Sequence, residues 1–243
     1  MMKRLFDLVA SSFGLILTSP LLLLFMLLVW LQDFHSPFYI AERVGKDGKP
    51  FNMIKLRSMV VNAAKSGVTS TSADDQRITV VGKLIRALKL DEITQLINVF
   101  LGDMSLVGPR PNVMRWGVEL YTDEEKGLLS VRPGITDFAS IVFSDEGHIL
   151  AGRDNPDLAY NQLIRPWKSR LSLHYIKHQS LWLDIQLVLL TVVAIISKSS
   201  ALKSVVGILN GQGASEEMLA VASRSEELQP HAPPGSSEIV SEL

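Results

Sequence analysis

Residues 84–111 read LIRALKLDEITQLINVFLGDMSLVGPRP and hold the densest set of structural and chemical signals in the chain. Apolar residues recur here at the i, i+3, i+4, i+7 spacing of an amphipathic helix: Ile93, Leu96, Ile97 and Phe100. Gly102 follows at the position where helices often end in a left-handed residue. The sequence therefore predicts one helix over about residues 92–101.

Two adjacent acids, Asp91 and Glu92, stand at the start of this predicted helix. A helix N-terminus favours negative charge, so an N-cap followed by a first-turn acid explains the pair without any function. Upstream, Lys83 and Arg86 lie one helical turn apart, on the side away from the apolar residues of that segment. This spacing brings cations toward a carboxylate pair.

Arg110 lies between two prolines, Pro109 and Pro111. Proline fixes its own backbone and pushes the preceding residue toward an extended conformation, so the arginine is held rigidly. A rigid guanidinium suits an anionic ligand. An anion-binding site at Asp91-Glu92 is therefore the alternative to a plain helix cap.

The run from Leu90 to Pro111 resembles the signature of the bacterial sugar transferases. These are the monotopic phosphoglycosyl transferases that start glycan assembly on a polyprenyl phosphate. Further segments carry the resemblance, which covers about residues 1–200: KRLFD at 3–7, Ser19-Pro20, KLRSM at 55–59, DQRIT at 75–79 and RPGIT at 132–136.

The resemblance implies a reaction and a set of site residues. The substrates would be a UDP-sugar and polyprenyl (undecaprenyl) phosphate, and the products polyprenyl diphosphate sugar and UMP, in the first membrane step of exopolysaccharide or other glycan assembly. Asp91 would be the nucleophile, forming a covalent aspartyl phosphosugar, and Glu92 would bind Mg²⁺, the expected cofactor. The available phosphate-binding residues are Arg86, Arg110, Lys55 and Arg57, with the first two ranked higher.

Two other functions remain open from the sequence. The chain could be a non-catalytic membrane scaffold of a glycan-assembly complex, or a membrane-bound nucleotide-sugar hydrolase. UMP release would separate an enzyme from a scaffold, and a requirement for lipid phosphate would separate a transferase from a hydrolase. The sugar itself is not encoded in any motif.

Composition narrows the class of protein. The chain has 243 residues, enough for one domain with one active site and appendages, and a homo-oligomer stays open. A formal net charge of −1 with 20% charged residues gives no reason to expect nucleic acid as a partner. The absence of cysteine excludes disulfides and thiolate chemistry. The 47% hydrophobic content is high, and the excess is local.

Residues 5–31 form an apolar run interrupted by one charge, Asp7. Hydropathy alone predicts a transmembrane helix, but Ser19-Pro20 falls near its middle, where proline deletes a backbone hydrogen bond. The two halves would reach about 21 Å and about 16 Å, against a hydrocarbon core of about 30 Å. A kinked spanning helix and a re-entrant helix are equally compatible with these lengths, and a cleaved signal peptide is disfavoured because no cleavage site follows.

In a helix bent at this point, the serine hydroxyl is expected to bond a carbonyl that proline leaves free. The resemblance implies the re-entrant form, with residues 1–34 bent at Ser19 and Pro20. It also implies a lipid bilayer partner and an active site on the cytoplasmic face of the bacterial inner membrane. The expected fold is a small α/β membrane-associated domain over residues 35–200, with a β-hairpin and amphipathic interfacial helices.

Residues 38–40 and 50–58 alternate as strands around VGKDGK, whose Asp47-Gly48 is a strong hairpin signal. The alternation predicts that Lys55 and Arg57 share one strand face, either as a phosphate-binding pair or as an ordinary solvated surface. Residues 60–76 predict a short helix and then a loop, which is either a lid or a plain surface loop.

The C-terminal half gives weaker signals. A helix is expected after Pro111, ending near Gly127. Further on, Asp137-Phe138 replaces the glycine and the aromatic residue that are usual in the family. For this reason, no substrate contacts are carried over from the family to residues 137–155. Residues 158–180 predict a basic and aromatic membrane-surface helix, and residues 182–197 an apolar helix too short to span. Residues 201–243, rich in Ser, Glu and Pro, are expected to be disordered.

Overall fold

The computed structural model describes residues 2–63, 71, 75–114 and 118–242. Helices and strands are mixed, as expected. The strands are β1 (Phe38–Val44), β2 (Pro50–Leu56), β3 (Ser105–Val107) and β4 (Gly134–Thr136). The helices are α1 (Met2–Asp33), α2 (Val80–Ala87), α3 (Leu90–Ile93), α4 (Leu96–Leu101), α5 (Phe138–Val142), α6 (Glu146–Leu150), α7 (Pro156–Ala159), α8 (Arg165–His178), α9 (Leu181–Ile196), α10 (Lys198–Gly211) and α11 (Glu216–Ser223).

The predicted hairpin is confirmed. Strands β1 and β2 pair antiparallel, with Phe38 opposite Leu56 and Val44 opposite Pro50. Asp47 and Gly48 adopt left-handed backbone angles, with φ of 58° and 75°, as this turn chemistry requires. Strand β1 runs four residues beyond its predicted end, which brings Arg43 into the hairpin.

A second, parallel pair of strands was not predicted. Strand β3 lies beside β4, with Ser105 opposite Gly134. The chain after β3 also contacts the start of β4, because Gly134 N–H donates to the Pro109 carbonyl at 2.8 Å. A Cβ atom on Gly134 would lie 2.1 Å from the backbone nitrogen of Gly108, so only glycine permits this approach. The RPGIT segment therefore fixes the backbone that carries Arg110.

The predicted membrane-surface helix at residues 158–180 is instead part of the core. It contains a π-helical segment, Tyr160–Ile164, followed by α8. Trp167 and Tyr175 are buried. Arg165 is buried too, and its Nη2 lies 2.5 Å from Oε2 of the buried Glu125. The interfacial prediction was wrong because a basic and aromatic composition also fits a core helix whose cation has a buried partner.

The tail expected to be disordered is ordered where the structure describes it. Helices α10 and α11 cover much of residues 198–223, and Val205, Leu209 and Ala222 are buried in the main core. In the segment after α11, the His231 ring packs edge-on against the Trp167 ring, with a distance of 4.8 Å between the ring centroids. The prediction of disorder rested on the polar composition of the segment and overlooked that its apolar residues recur at helical spacing.

The helix expected to end near Gly127 is replaced, in the described residues, by two short 3₁₀ segments, Val118–Leu120 and Glu125–Ser130. Residues 115–117 lie outside the described part. The second segment begins with a reciprocal pair of hydrogen bonds, each of 3.1 Å. Thr122 N–H donates to Glu125 Oε2, and Glu125 N–H donates to Thr122 Oγ1. This capping box starts a new turn, so the helix is not continuous.

Helix α1 is 32 residues long, and its length and composition allow it to cross a membrane. Pro20 lies inside it and cannot donate to the carbonyl of Ile16. The Ser19 hydroxyl donates to that carbonyl instead, at 2.8 Å, which confirms the hydrogen bond expected of the serine. Helix α1 is otherwise continuous in secondary structure, and the predicted re-entrant bend stays a prediction.

Both ends of α1 are attached to the rest of the domain. Near its start, Lys3 Nζ lies 2.6 Å from Asp184 Oδ2, and the buried Asp7 carboxylate accepts from the Ser105 hydroxyl at 3.0 Å. At its end, Asp33 Oδ2 lies 2.5 Å from Arg57 Nη1. The charged residues of KRLFD thus hold the helix in place, while apolar side chains between the two attachments are exposed: Phe13, Ile16, Leu17, Leu23 and Leu24.

Candidate active site

The acid pair lies in the first turn of α3. The structure differs here from the single helix predicted over residues 92–101. Two helices, α3 and α4, replace it, with the break at Thr94 and Gln95. Lys89, in a left-handed conformation with φ of 56°, precedes α3, so Asp91 is not its N-cap. Gly102, with φ of 100°, ends α4 as predicted.

Side-chain bonds to the hairpin hold the junction between α3 and α4. The Thr94 hydroxyl donates to the Ile54 carbonyl at 3.1 Å. Asn98 accepts from the Ile54 N–H at 2.9 Å and donates to the Asn52 carbonyl at 2.7 Å. Because β2 has β1 on its other edge, these bonds satisfy polar groups on its free edge. The acid pair is thereby fixed against the strand that carries Lys55.

Five of the six predicted site residues come together. Arg110 Nη2 lies 2.6 Å from Glu92 Oε1, and Lys55, Arg86 and Arg110 each interact electrostatically with both Asp91 and Glu92. The cations come from three different elements: strand β2, helix α2 and the segment after β3. Their assigned roles stay predictions.

Arg57 is the exception, and its predicted placement beside Lys55 is wrong. The chain leaves β2 after Leu56, so strand alternation no longer governs residue 57. Arg57 is buried, and both of its Nη atoms donate to Asp33 at the end of α1, at 2.5 and 2.7 Å. It anchors α1 in this structure, instead of facing the acid pair.

Arg43 also lies near this site, although the sequence analysis did not predict it as a site residue. It lies on β1 opposite Phe51, and burial together with repulsion by Arg110 lowers the pKa of its guanidinium. Sequence reasoning ended the first strand at residue 40, which left Arg43 in a loop. Its alternation with Tyr39 and Ala41 was the available signal.

The two acids differ in their electrostatic states. Burial acts to raise the pKa of Glu92, but Arg110, Lys55 and Lys89 outweigh it and bring that pKa to about 2. Burial raises the pKa of Asp91, against the opposing effect of Lys55. Glu92 is thus a fixed anion with an arginine partner, whereas Asp91 has no ion-pair partner within 4.0 Å among the described residues. An unpaired, partly desolvated carboxylate is suited to covalent chemistry.

The cations outnumber the acids. Arg43, Lys55 and Arg86 have no ion pair within the described ranges, and Arg110 has one, with Glu92. Burial, together with repulsion by Arg110, lowers the pKa of Lys55 to about 8. Lys55, Arg86 and Arg110 act on the two carboxylates, and Arg43 acts on Lys55 and Arg110, so the cluster has an excess of positive charge. An anionic ligand with more than one charge would neutralise it.

The acid pair also fits a magnesium ion. Mg²⁺ gives up its bound waters reluctantly, so proteins commonly hold it through one or two carboxylates together with substrate phosphates. In the described part of the chain, no group of three or more His, Cys, Asp or Glu residues could hold a metal. Glu92, with Asp91 beside it, would supply the carboxylate oxygens, and a bound diphosphate would supply further oxygen ligands.

The sequence left the roles of two segments open: the predicted lid at residues 60–76 and the departure from the family pattern at residues 137–155. Residues 64–70 and 72–74 of the predicted lid lie outside the described residues. Asp137, at the departure from the family pattern, is fully buried and accepts from Ser140 N–H at 2.7 Å and from the Ser172 hydroxyl at 2.5 Å. It caps α5 and links it to α8, which is a structural role.

Comparison with protein families gives a match to the model described as Bacterial sugar transferase, over residues 1–198. The chain belongs to the bacterial sugar transferase family. The matched region contains every predicted site residue and ends at the first residue of α10. Most of α10, together with α11 and the segment after it, therefore lies beyond the family match.

Curated relatives agree with the family. The chain is 37% identical over 191 residues to the uncharacterized sugar transferase EpsL of Bacillus subtilis, covering 79% of this chain and 85% of that protein. It is 33% identical over 202 residues to the UDP-glucose:undecaprenyl-phosphate glucose-1-phosphate transferase of Caulobacter vibrioides, covering 82% and 71%. The expectation of an enzyme of the phosphoglycosyl transferase class is confirmed.

A third relative is the UDP-N-acetylgalactosamine-undecaprenyl-phosphate N-acetylgalactosaminephosphotransferase of Aeromonas hydrophila. It is 35% identical over 198 residues, which cover 80% of this chain and 44% of that protein. The named relatives thus use two different sugars. Similarity at this level does not identify the sugar of this chain.

Proposed function

We propose that this sugar transferase moves a sugar 1-phosphate from a UDP-sugar to polyprenyl phosphate, through a covalent intermediate on Asp91. One observation carries the proposal: an unpaired, partly buried Asp91 stands beside an ion-paired Glu92 and among four cations. The cations fit a diphosphate, and the unpaired carboxylate fits a nucleophile. The substrates named for the relatives support the same reaction.

In the first step, an oxygen of Asp91 attacks the phosphorus that carries the sugar. The bond from that phosphorus to the bridging oxygen breaks, and UMP leaves with the electron pair. A phosphosugar is then bound to Asp91 as an acyl phosphate. Arg43, Lys55, Arg86 and Arg110 offset the negative charge of the diphosphate, which would otherwise repel the carboxylate.

In the second step, an oxygen of polyprenyl phosphate attacks the same phosphorus and the Asp91 carboxylate leaves. The products are polyprenyl diphosphate sugar and the free enzyme. Glu92 would hold Mg²⁺, which stabilises negative charge on the diphosphate when bound. Arg110 lies 2.6 Å from Glu92, so a metal held by Glu92 would compete with this arginine for the carboxylate, and the donor phosphates would offer Arg110 another anion.

Membrane attachment belongs to the same proposal. Exposed apolar side chains on α1, α2 and α9 form the surface that meets the bilayer, and α1 bends at Ser19-Pro20 so that both ends stay on one side. The attachments of α1 through Lys3 and Asp33 to one domain support this arrangement. The active site then opens to the cytoplasmic face of the inner membrane, where a UDP-sugar and a lipid phosphate can meet.

The test is UMP release by the purified full-length chain in nanodiscs, with a panel of UDP-sugars and with or without undecaprenyl phosphate. We expect steady turnover only when one UDP-sugar, Mg²⁺ and the lipid phosphate are all present. Steady release without the lipid would identify a nucleotide-sugar hydrolase. No release with any donor would leave a scaffold and contradict the proposal.

A further inference from the structure

A second group of polar side chains lies next to Arg110 and takes no part in the proposed mechanism. We refer to Glu146, Tyr160 and Lys168 as the polar wall. They come from α6, the π-helical segment and α8, all of them after Asp137-Phe138, where the chain departs from the family pattern. Lys168 forms an ion pair with Glu146, and its Nζ lies 5.4 Å from the centroid of the Tyr160 ring.

The polar wall and the acid pair share two cations. Arg110 interacts electrostatically with both Glu92 and Glu146, and so does Lys89. Glu146 and Glu92 therefore lie near the same two cations. A diphosphate bound at Arg110 would lie near both the acid pair and the polar wall.

The polar wall can be reached by a ligand. The Glu146 side chain is 30% exposed and the Lys168 side chain 14% exposed, so both can exchange contacts with a ligand. Within the described ranges, residues 118–178 contain no exposed large hydrophobic side chain, in contrast to α1, α2 and α9. The described segments that carry the polar wall thus lack the exposed apolar side chains that would contact a bilayer, and a water-soluble nucleotide sugar can reach it.

Its chemistry matches hydroxyl groups better than a nucleobase. A carboxylate accepts hydrogen bonds from hydroxyls, and an ammonium group donates to them. The Tyr160 ring has Lys168 over it, so that face is not open for stacking on uracil. A site that hydrogen-bonds hydroxyls can discriminate strongly between epimers, because a misplaced hydroxyl leaves buried polar groups unpaired.

We infer that Glu146, Tyr160 and Lys168 contact the hydroxyl groups of the donor sugar and determine which UDP-sugar the enzyme accepts. This inference rests on the proposed function, because it requires the diphosphate to be held at Arg110. It goes further by naming the residues that read the sugar. The bound sugar replaces part of the contact between Lys168 and Glu146.

The experiment measures equilibrium binding by calorimetry, with the full-length Asp91→Asn chain so that the donor stays intact. UDP-glucose and UDP-galactose differ in one hydroxyl, and UDP contains the nucleotide and the phosphates without the sugar. We expect Glu146→Gln to change the ratio of the two UDP-sugar Kd values by tenfold or more, with the Kd for UDP changed less than about twofold. Lys168→Met should also change the ratio.

Two controls keep the result interpretable. Asp123→Asn removes the carboxylate of the exposed Lys126–Asp123 pair and should change none of the three Kd values. Tyr160→Phe removes only a hydroxyl and keeps the packing of the ring, so it still tests the polar wall if Glu146→Gln does not fold. It should change the ratio of the two UDP-sugar Kd values by a smaller factor.

Three outcomes would overturn the inference. Equal weakening of both UDP-sugars and UDP would mean that the polar wall acts on the phosphates or the nucleotide. Unchanged binding of all three ligands by folded variants would mean that it contacts no donor. Weaker UDP binding alone would assign the polar wall to uridine. A failure of the proposed function would be seen separately, as absent UMP release by the unsubstituted enzyme.

Discussion

At the scale of single residues, Asp91 and Glu92 are neighbours with different tasks because their partners differ. Arg110 holds Glu92 ionised, with its pKa at about 2, whereas Asp91 faces Lys55 without a close ion pair and burial raises its pKa. Sequence reasoning found both acids, Arg86 and Arg110 from one motif, and Lys55 from the strand segment at residues 55–59. It missed Arg43 and misplaced Arg57, because strand ends decide which way a side chain points and are the least certain feature of a sequence-based assignment.

Lys55 predicts a pH dependence of donor use. Its pKa is lowered to about 8 by burial and by Arg110, so the ammonium charge is present below that pH and is lost as the pH rises through it. We expect kcat/KM for the UDP-sugar to fall above about pH 8. Lys55→Arg should move the fall to higher pH, since arginine stays protonated. An unchanged falling limb in this variant would assign the limb to another group, and Lys126→Arg at an exposed position is the control.

At the scale of elements, α1 and the C-terminal helices show what sequence patterns can and cannot predict. Ser19 satisfies the carbonyl that Pro20 leaves free, and this bond follows from local chemistry, so it was predictable. The burial of α8 and α10 depends on partners distant in the sequence, such as Glu125 for Arg165. Composition alone therefore assigned α8 to a membrane surface and the tail to disorder.

The bend of α1 leads to a topology prediction. In intact cells, tags at Met1 and after Asp33 should both be protected from impermeant reagents outside the cell. Pro20→Leu restores a backbone donor for the helix, so we expect it to favour a straight, spanning segment and to expose one tag. Pro50→Leu, outside α1, is the control. Exposure of one tag in the unsubstituted chain would contradict the re-entrant arrangement.

The C-terminal segment leads to a stability prediction. Deleting residues 214–243 removes the buried Ala222 and the packing of Met218, Leu219 and Leu228 on the core. At about 1 kcal/mol or more for each of these four apolar side chains, the loss is about 4 kcal/mol, and we expect Tm to fall by about 8–16 °C.

Deleting only residues 241–243 is the matched control, because it keeps the hydrogen bond from Gln162 to the Val240 carbonyl. Its Tm should stay within about 1 °C of the full chain, since the exposed Ser241 and Glu242 bury no surface. An equal Tm for the longer deletion would show that α11 does not stabilise the domain.

At the scale of the whole molecule, large exposed apolar side chains are concentrated on α1, α2 and α9, whereas the described residues 118–178 have none. The acid pair lies on α3, which packs against α1 and α2, and Arg110 interacts with both Glu92 and Glu146 of the polar wall. Under the proposed function, a lipid phosphate at the apolar surface and a water-soluble nucleotide sugar would both reach Asp91. The motif predicted the residues of this site, but the parallel pairing of β3 with β4, which holds Arg110, depends on contacts between distant segments.

The central claim is covalent catalysis by Asp91, and intact-protein mass spectrometry tests it most directly. With UDP-sugar and Mg²⁺ but no lipid acceptor, the enzyme should gain the mass of one phosphosugar and release about one UMP per site. Asp91→Asn should gain none, although its amide keeps nearly the same shape. Glu92→Gln should react slowly and still show some labelled protein.

The added mass should disappear when undecaprenyl phosphate is supplied, with formation of the lipid diphosphate sugar. An unsubstituted enzyme that turns over with both substrates yet never gains this mass would contradict the account. Kinetics that require both substrates to be bound together would then assign Asp91 to metal binding or to proton transfer instead of nucleophilic attack.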